Sequence, residues 1–124
     1  MPPKVDSLIY PKISYLILGI CFSVQNELGI YAKEKQYSDL LEKRFRESKI
    51  SYKRQFLISD SGNIVDFIID NKIILEVKAK RIITKSDYYQ LQRYLQESKI
   101  KLGLLVNFRN KYLKPKRVIR IDKK

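Results

Sequence analysis

Ile64-Val65-Asp66-Phe67-Ile68-Ile69-Asp70-Asn71-Lys72-Ile73-Ile74-Leu75-Glu76-Val77-Lys78-Ala79 is the stretch on which the reading of the chain turns. Two apolar runs flank Asp70-Asn71-Lys72, a turn-forming triplet, so a β-hairpin is expected. The run from Ile73 is apolar at almost every position, as suits a central strand covered on both faces. Asp66, Glu76 and Lys78 interrupt this pattern. Burying isolated charges is costly, so such groups either pair with one another or hold a metal ion.

Strand alternation puts Glu76 and Lys78 on one face. Asp66 joins them only if residues of equal parity pair, for example Asp66 opposite Glu76. That requires a three-residue loop, Asp70 to Lys72, or a bulge; a two-residue turn at Asp70-Asn71 pairs Ile69 with Lys72 and turns Asp66 away. The alternative is a structural Asp66–Lys78 or Glu76–Lys78 ion pair, which leaves the second carboxylate without a role.

Upstream, Tyr52 to Ser59 and the turn Asp60-Ser61-Gly62-Asn63 lead into Ile64 to Ile69, giving three consecutive antiparallel strands. Earlier still, Ile13, Leu16, Ile17, Ile20, Val24 and Leu28 mark a helix from about Lys12 to Leu28, ending at Gly29. Tyr37, Leu40, Leu41 and Phe45 mark a second helix, ending near Lys49. Downstream, Thr84 or Ser86 can cap a helix from Asp87 to Ser98 with Tyr88, Leu91 and Leu95 as its stripe. A buried strand, Leu102 to Phe108, and a short basic strand, Arg117 to Ile121, follow. The order α-α-β-β-β-α-β-β predicts an α/β (α+β) fold, a central mixed sheet flanked by helices. Without repeats, low-complexity tracts or linkers, residues 1–124 read as one domain, with a leader at 1–11 and a basic segment at 109–124.

The 124 residues include 26 Lys or Arg, 13 Asp or Glu and no His, a formal net charge of +13. Lack of histidine excludes Ser-His and Cys-His dyads, Cys/His zinc sites and an imidazole base. The single cysteine, Cys21, excludes an intrachain disulfide and lies on the first apolar stripe as a core residue. Ile13 to Val24 is too short to span a bilayer and lacks a cleavage pattern, so a soluble, cytoplasmic protein is expected. Residues 63–124 hold 16 basic and 6 acidic side chains against 10 and 7 in residues 1–62. Such clustering suits a polyanion, with a solubilising face and an anionic membrane surface as the alternatives.

Two carboxylates and a lysine on one face suit phosphodiester hydrolysis. Oxygen ligands favour Mg²⁺ or Mn²⁺, which stabilises phosphate charge and lowers the pKa of a bound water, while an ammonium orients that water or neutralises developing charge.

Asp66, nine intervening residues and Glu76-Val77-Lys78 resemble the signature of the PD-(D/E)XK nuclease superfamily, with Val65 in place of its proline. The wider context is similar to the GxxExxY family within it: Asn26-Glu27-Leu28-Gly29, Glu34-Lys35-Gln36-Tyr37, Ile73 to Ala79, and Leu102-Gly103-Leu104-Leu105-Val106-Asn107-Phe108. The resemblance implies a restriction-endonuclease-like core in which Asp66, Glu76 and the Val77 carbonyl bind the metal and Lys78 is the motif lysine. It matches the helix carboxylate to Glu34, with Glu27 second. Gln90 and Tyr94 resemble the Gln-x-x-x-Tyr motif of RecB-like nucleases, which would bring Gln90 to the lysine or the DNA backbone. An exposed Gln beside a partly buried Tyr is an equal alternative. Two departures stand out: Tyr31 occupies the position of the family's named glycine, and Gln25 that of a histidine in many relatives.

Lys80, Arg81 and Lys85 follow directly from Lys78 and are expected to meet phosphates. Arg93, Arg109, Lys111, Lys116 and Arg117 extend the track, and Tyr88 and Tyr89 read as core before stacking groups. The resemblance thus implies a Mg²⁺- or Mn²⁺-dependent deoxyribonuclease, read as an endonuclease, with DNA as partner, RNA left open and no membrane. A homodimer is favoured if both strands are cut. A nuclease-like binding or assembly module without cleavage is the alternative.

Overall fold

The computed structural model describes residues 9–122. The first eight residues of the expected leader, and Lys123 and Lys124, lie outside them. Helix α1 (Pro11–Leu28) starts one residue earlier than expected, because proline lacks only an N–H that the first helical turn leaves unused. It ends at Gly29, whose φ of 77° is open to glycine at little cost and whose N–H reaches the Gln25 carbonyl at 2.7 Å. Helix α2 (Glu34–Glu47) opens with the Lys33 N–H bound to the Gln36 side chain at 2.8 Å. Strands β1 (Tyr52–Leu57), β2 (Ile64–Ile69) and β3 (Ile73–Lys78) form the three-strand meander. Helix α3 (Lys85–Ser98) is capped by Thr84, and β4 (Leu102–Asn107) and β5 (Lys116–Ile119) complete the chain.

The sheet order is β1-β2-β3-β4-β5, with β3 and β4 parallel and every other neighbour antiparallel. This is the expected mixed sheet in the expected element order. Helices α1 and α2 cover one face through Ile17, Cys21, Val24, Tyr37, Leu41 and Phe45; α3 covers the other through Leu91, Tyr94 and Leu95. Burial pushes the Cys21 thiol up to about 12, so it stays protonated in the core. Gly103 allows α3 to sit close, since a Cβ there would meet the Leu91 methyl groups at 2.9 Å.

Several strand ends fall short of expectation because side chains take over the hydrogen bonding. Beyond Lys78, the Asn107 side chain receives the Lys80 N–H at 3.1 Å and donates to the Lys80 carbonyl at 2.7 Å. Beyond Ile119, the Ile121 N–H goes to the Gln92 side chain at 2.8 Å.

The β2–β3 register pairs Ile69 with Ile73, Ile68 with Ile74 and Phe67 with Leu75. Asp70 and Asn71 both have φ of 54°, and the Lys72 N–H closes the turn on the Ile69 carbonyl at 3.0 Å. Lys72 is then an extra residue before β3, and it carries the register to equal parity, with Asp66 opposite Glu76.

Candidate active site

Asp66 interrupts the sheet on both sides. On the β1 side it stands opposite Gln55, whose φ is 51°, and the pairs Arg54–Phe67 and Phe56–Val65 flank this gap. The packing alternation slips at the same place: Val65 and Ile68 both face the α3 core, whereas Phe67 and Ile69 face the core under α1 and α2. On the β3 side regular pairing stops at Phe67–Leu75.

Carboxylates replace the lost backbone bonds there. The Val77 N–H donates to Asp66 Oδ2 at 2.7 Å, and the Asp66 N–H donates to Glu76 Oε1 at 3.0 Å. Each acid therefore spends one oxygen on the opposite strand. Its other oxygen has little to bind: Asp66 Oδ1 receives only a long 3.5 Å contact from Gln55, and Glu76 Oε2 has no hydrogen bond among the described residues. Because the N–H and C=O of one strand residue point to the same side, the Val77 carbonyl is turned toward this fork as well.

The electrostatics of the pair are unfavourable as it stands. Burial, then the charge of Asp66, pushes Glu76 up to about 8. Burial raises Asp66 too, against the opposing pull of the Val77 N–H and the Lys78 charge. Glu34, at the solvent-exposed first turn of α2, is raised by desolvation and then by Asp66. Tyr94, on α3, is raised by burial and then by Glu76 and Asp66, which places its phenol within the field of the pair. A cleft of about 360 Å³ opens beside Asp66 and is lined by Glu34, Lys35, Ser38, Arg54 and Gln55. A larger hollow of about 570 Å³, lined by Gln96, Lys99, Arg120, Ile121 and Asp122, lies toward the opposite end of the parallel strands and holds none of these groups.

Lys78 forms neither of the ion pairs considered from sequence. The carboxylate nearest its ammonium is that of Asp87 at 4.0 Å, and Asp87 binds Lys80 more closely, at 2.6 Å. Burial works to raise Asp87, but the Lys80 ammonium and the Thr84 N–H outweigh it and hold the carboxyl below its usual range. Asp87 thus joins the cap of α3 to the lysines at the end of β3. Of the two caps the sequence offered, Thr84 and Ser86, the fold uses Thr84, with Asp87 completing a capping box, and nothing in the sequence announced the lysine contact.

The other candidates divide. Glu27 is drawn to Arg44 at 3.3 Å, whereas Glu34 shares the field of Asp66 and Lys78. Tyr37, three residues beyond Glu34, is fully buried; its hydroxyl donates to the Gly29 carbonyl and accepts the Ala32 N–H, fixing the turn that carries Tyr31. Gln25 binds the Phe108 and Asn110 carbonyls at 3.1 and 2.7 Å and so anchors the loop after β4. Gln90 is half-buried and makes no side-chain hydrogen bond among the described residues. Arg81, Lys85, Arg93, Lys111 and Lys116 are exposed. Arg117 is engaged within the fold, donating to Ser14 Oγ at 2.9 Å and the Ile9 carbonyl at 2.8 Å. Tyr89 is exposed and Tyr88 half-buried.

Among the described residues, no three acidic or cysteine side chains converge into a ready-made metal cage. The donor set is instead a buried carboxylate, Glu76, and a half-buried one, Asp66, with an oxygen apiece to spare, a main-chain carbonyl, and Glu34 at the rim. Hard oxygen donors carrying excess negative charge fit a divalent ion.

A three-layer fold with an acidic fork and a neighbouring lysine defines a nuclease-like protein. Residues 11–121 match the model of the PD-(D/E)XK nuclease superfamily, and the chain belongs to that superfamily. Its members generally use divalent metal ions. No significant match links the chain to a curated protein or to a solved structure. No helix among the described residues is long and apolar enough to cross a membrane.

Proposed function

We propose that the protein is a Mg²⁺- or Mn²⁺-dependent nuclease that hydrolyses DNA phosphodiester bonds. The observation that carries this is the β2–β3 fork, where Asp66 and Glu76 each keep one oxygen unspent while burial raises both and the charge of Asp66 raises Glu76 further. Asp66, Glu76 and the Val77 carbonyl would hold the ion, with Glu34 adding a direct or water-mediated contact. Bound there, a divalent ion supplies charge stabilisation to the phosphate and lowers the pKa of its water. Lys78, its side chain 18% exposed and lightly held by Asp87, carries an ammonium free to swing toward the scissile phosphate. Gln90 lies three residues beyond Asp87 on α3 with its amide unspent, ready for the lysine or a phosphate. Arg81, Lys85, Arg93, Arg109, Lys111 and Lys116 supply cations for the DNA backbone, while Lys80 does so in competition with Asp87.

The test is cleavage of supercoiled, linear, branched and single-stranded DNA, with and without Mn²⁺. Asp66→Asn keeps an acceptor for the Val77 N–H but removes the charge, and loss of several kcal/mol of stabilisation lowers the rate roughly a hundredfold or more. If the purified protein cuts none of these substrates, or Asp66→Asn cuts as well as the wild type, the reading is wrong. A second reading is a non-cleaving DNA-binding module, which the 16 basic against 6 acidic side chains of residues 63–124 would serve without any chemistry at the fork. It requires salt-sensitive binding that Asp66→Asn leaves intact, with no cleavage under any condition.

A further inference from the structure

Two tyrosines stand out, one on the turn between α1 and α2 and one on the loop between β4 and β5. Tyr31 is 81% exposed and Tyr112 is 72% exposed, and neither hydroxyl is hydrogen-bonded among the described residues. Each ring has a cation over it: the Arg109 guanidinium lies 5.5 Å from the centre of Tyr31, and the Lys111 ammonium 5.5 Å from that of Tyr112. Neither cation forms an ion pair with a described acid, and Arg109 Nε is buried without an acceptor. Among the described residues, exposed Tyr89 has no such cation above it.

Their placement ties them to the fork. The Phe108 N–H, one residue before Arg109, binds the Lys78 carbonyl at 2.8 Å. Gln25 holds the carbonyls on both sides of Arg109, and the buried Tyr37 hydroxyl fixes the turn that presents Tyr31 three residues ahead of Glu34. Both rings are thus carried on braced loops. The segment that carries Arg109, Lys111 and Tyr112 is strongly basic: between Glu97 and Asp122 the sequence has eight basic residues and no acidic one.

We propose that Tyr31 and Tyr112 form a stacking platform for unpaired bases, so that single-stranded DNA is the form of substrate the candidate active site receives. The proposal rests on the nuclease reading for what happens at the fork, but not for the binding itself. A cation covers one face of each ring, and the exposure leaves the other face to solvent. An unpaired base can lie on that open face while its phosphate meets Arg109 or Lys111. In a regular duplex the base faces are already stacked on one another, so the rings gain nothing from it and only the charges contribute.

Anisotropy of a fluorescein-labelled oligo(dT) and of a labelled hairpin duplex, both in EDTA at one fixed salt concentration, separates these contributions. Tyr31→Ala and Tyr112→Ala each weaken oligo(dT) binding roughly tenfold while changing duplex binding by less than about twofold, and the Phe variants bind like the wild type. Circular dichroism of each variant confirms the fold. The proposal is overturned if the Ala variants bind oligo(dT) as well as the wild type does, or if they lose affinity for oligo(dT) and duplex equally. Mn²⁺-dependent cleavage is scored separately. Tyrosine-dependent binding without cleavage upholds the platform and sinks the nuclease reading, whereas duplex cleavage with tyrosine-independent binding does the reverse.

Discussion

Glu76 is only 6% exposed and sits beside the half-buried carboxylate of Asp66, so ionising it works against the fold. The folded chain keeps its proton up to about pH 8, whereas the unfolded chain releases it near the ordinary value of 4.5. Between those limits the folded state binds more protons, and stability falls as pH rises through the window. At pH 7 the accumulated cost spans about two and a half pH units at ~1.4 kcal/mol each, or about 3 kcal/mol. Glu76→Gln removes the titration and keeps an oxygen to accept the Asp66 N–H. In EDTA the variant is therefore expected to be more stable than the wild type by roughly 3 kcal/mol at pH 7, which raises Tm by about 10 °C for a chain of this size. The gap closes as pH falls toward 4.5. Thermal melts across this range measure it, with a Mg²⁺ titration alongside: added ion stabilises the wild type by mass action and leaves the variant nearly unchanged. A Glu76→Gln variant no more stable than the wild type at pH 7 in EDTA would refute the claim that this carboxylate is held at a cost.

Two further substitutions probe the supports of the site. Tyr37→Phe deletes the hydroxyl that bridges Gly29 and Ala32, and is expected to cost about 1–2 kcal/mol in urea unfolding; it also lowers cleavage by loosening the turn that leads to Glu34. Asn107→Ala strips partners from the Lys80 N–H and carbonyl and from the Arg109 N–H, and is expected to cost about 2–3 kcal/mol, seen as a lower urea midpoint at unchanged slope.

The hairpin was legible because its chemistry is local. Two apolar runs, a turn triplet and an acid in each run limit the register to two choices, and only the one with an extra turn residue lets Asp66 face Glu76. The kink at Gln55 and Asp66 was not legible: both strands slip together, so the pairing sum is the same before and after the slip and no spacing changes. Asp87 read only as the start of a helix capped by Thr84 or Ser86, and its ties to Lys78 and Lys80 exist only once α3 lies across the end of β3. Asn107 lies in a run of apolar residues, where a polar side chain looks like a lapse in the pattern, and Gln25 opens the polar stretch Gln25-Asn26-Glu27, where nothing marks it out. Their purpose is to satisfy loop carbonyls and amides that come together only in the folded chain. Arg117 counted toward the basic track until folding brought Ser14 and the Ile9 carbonyl, more than a hundred residues away, to its guanidinium.

The exchange of backbone rungs for carboxylate rungs at the fork also gives the protein a reporter of its own. The amides of Asp66 and Val77 are protected by side chains that would also ligate an ion. Whatever draws on those oxygens must alter the two N–H groups directly, whereas amides farther along the same strands answer to the ladder alone. Arrival of a ligand in the fork is therefore written into two backbone resonances, readable without any substrate and before any bond is cut.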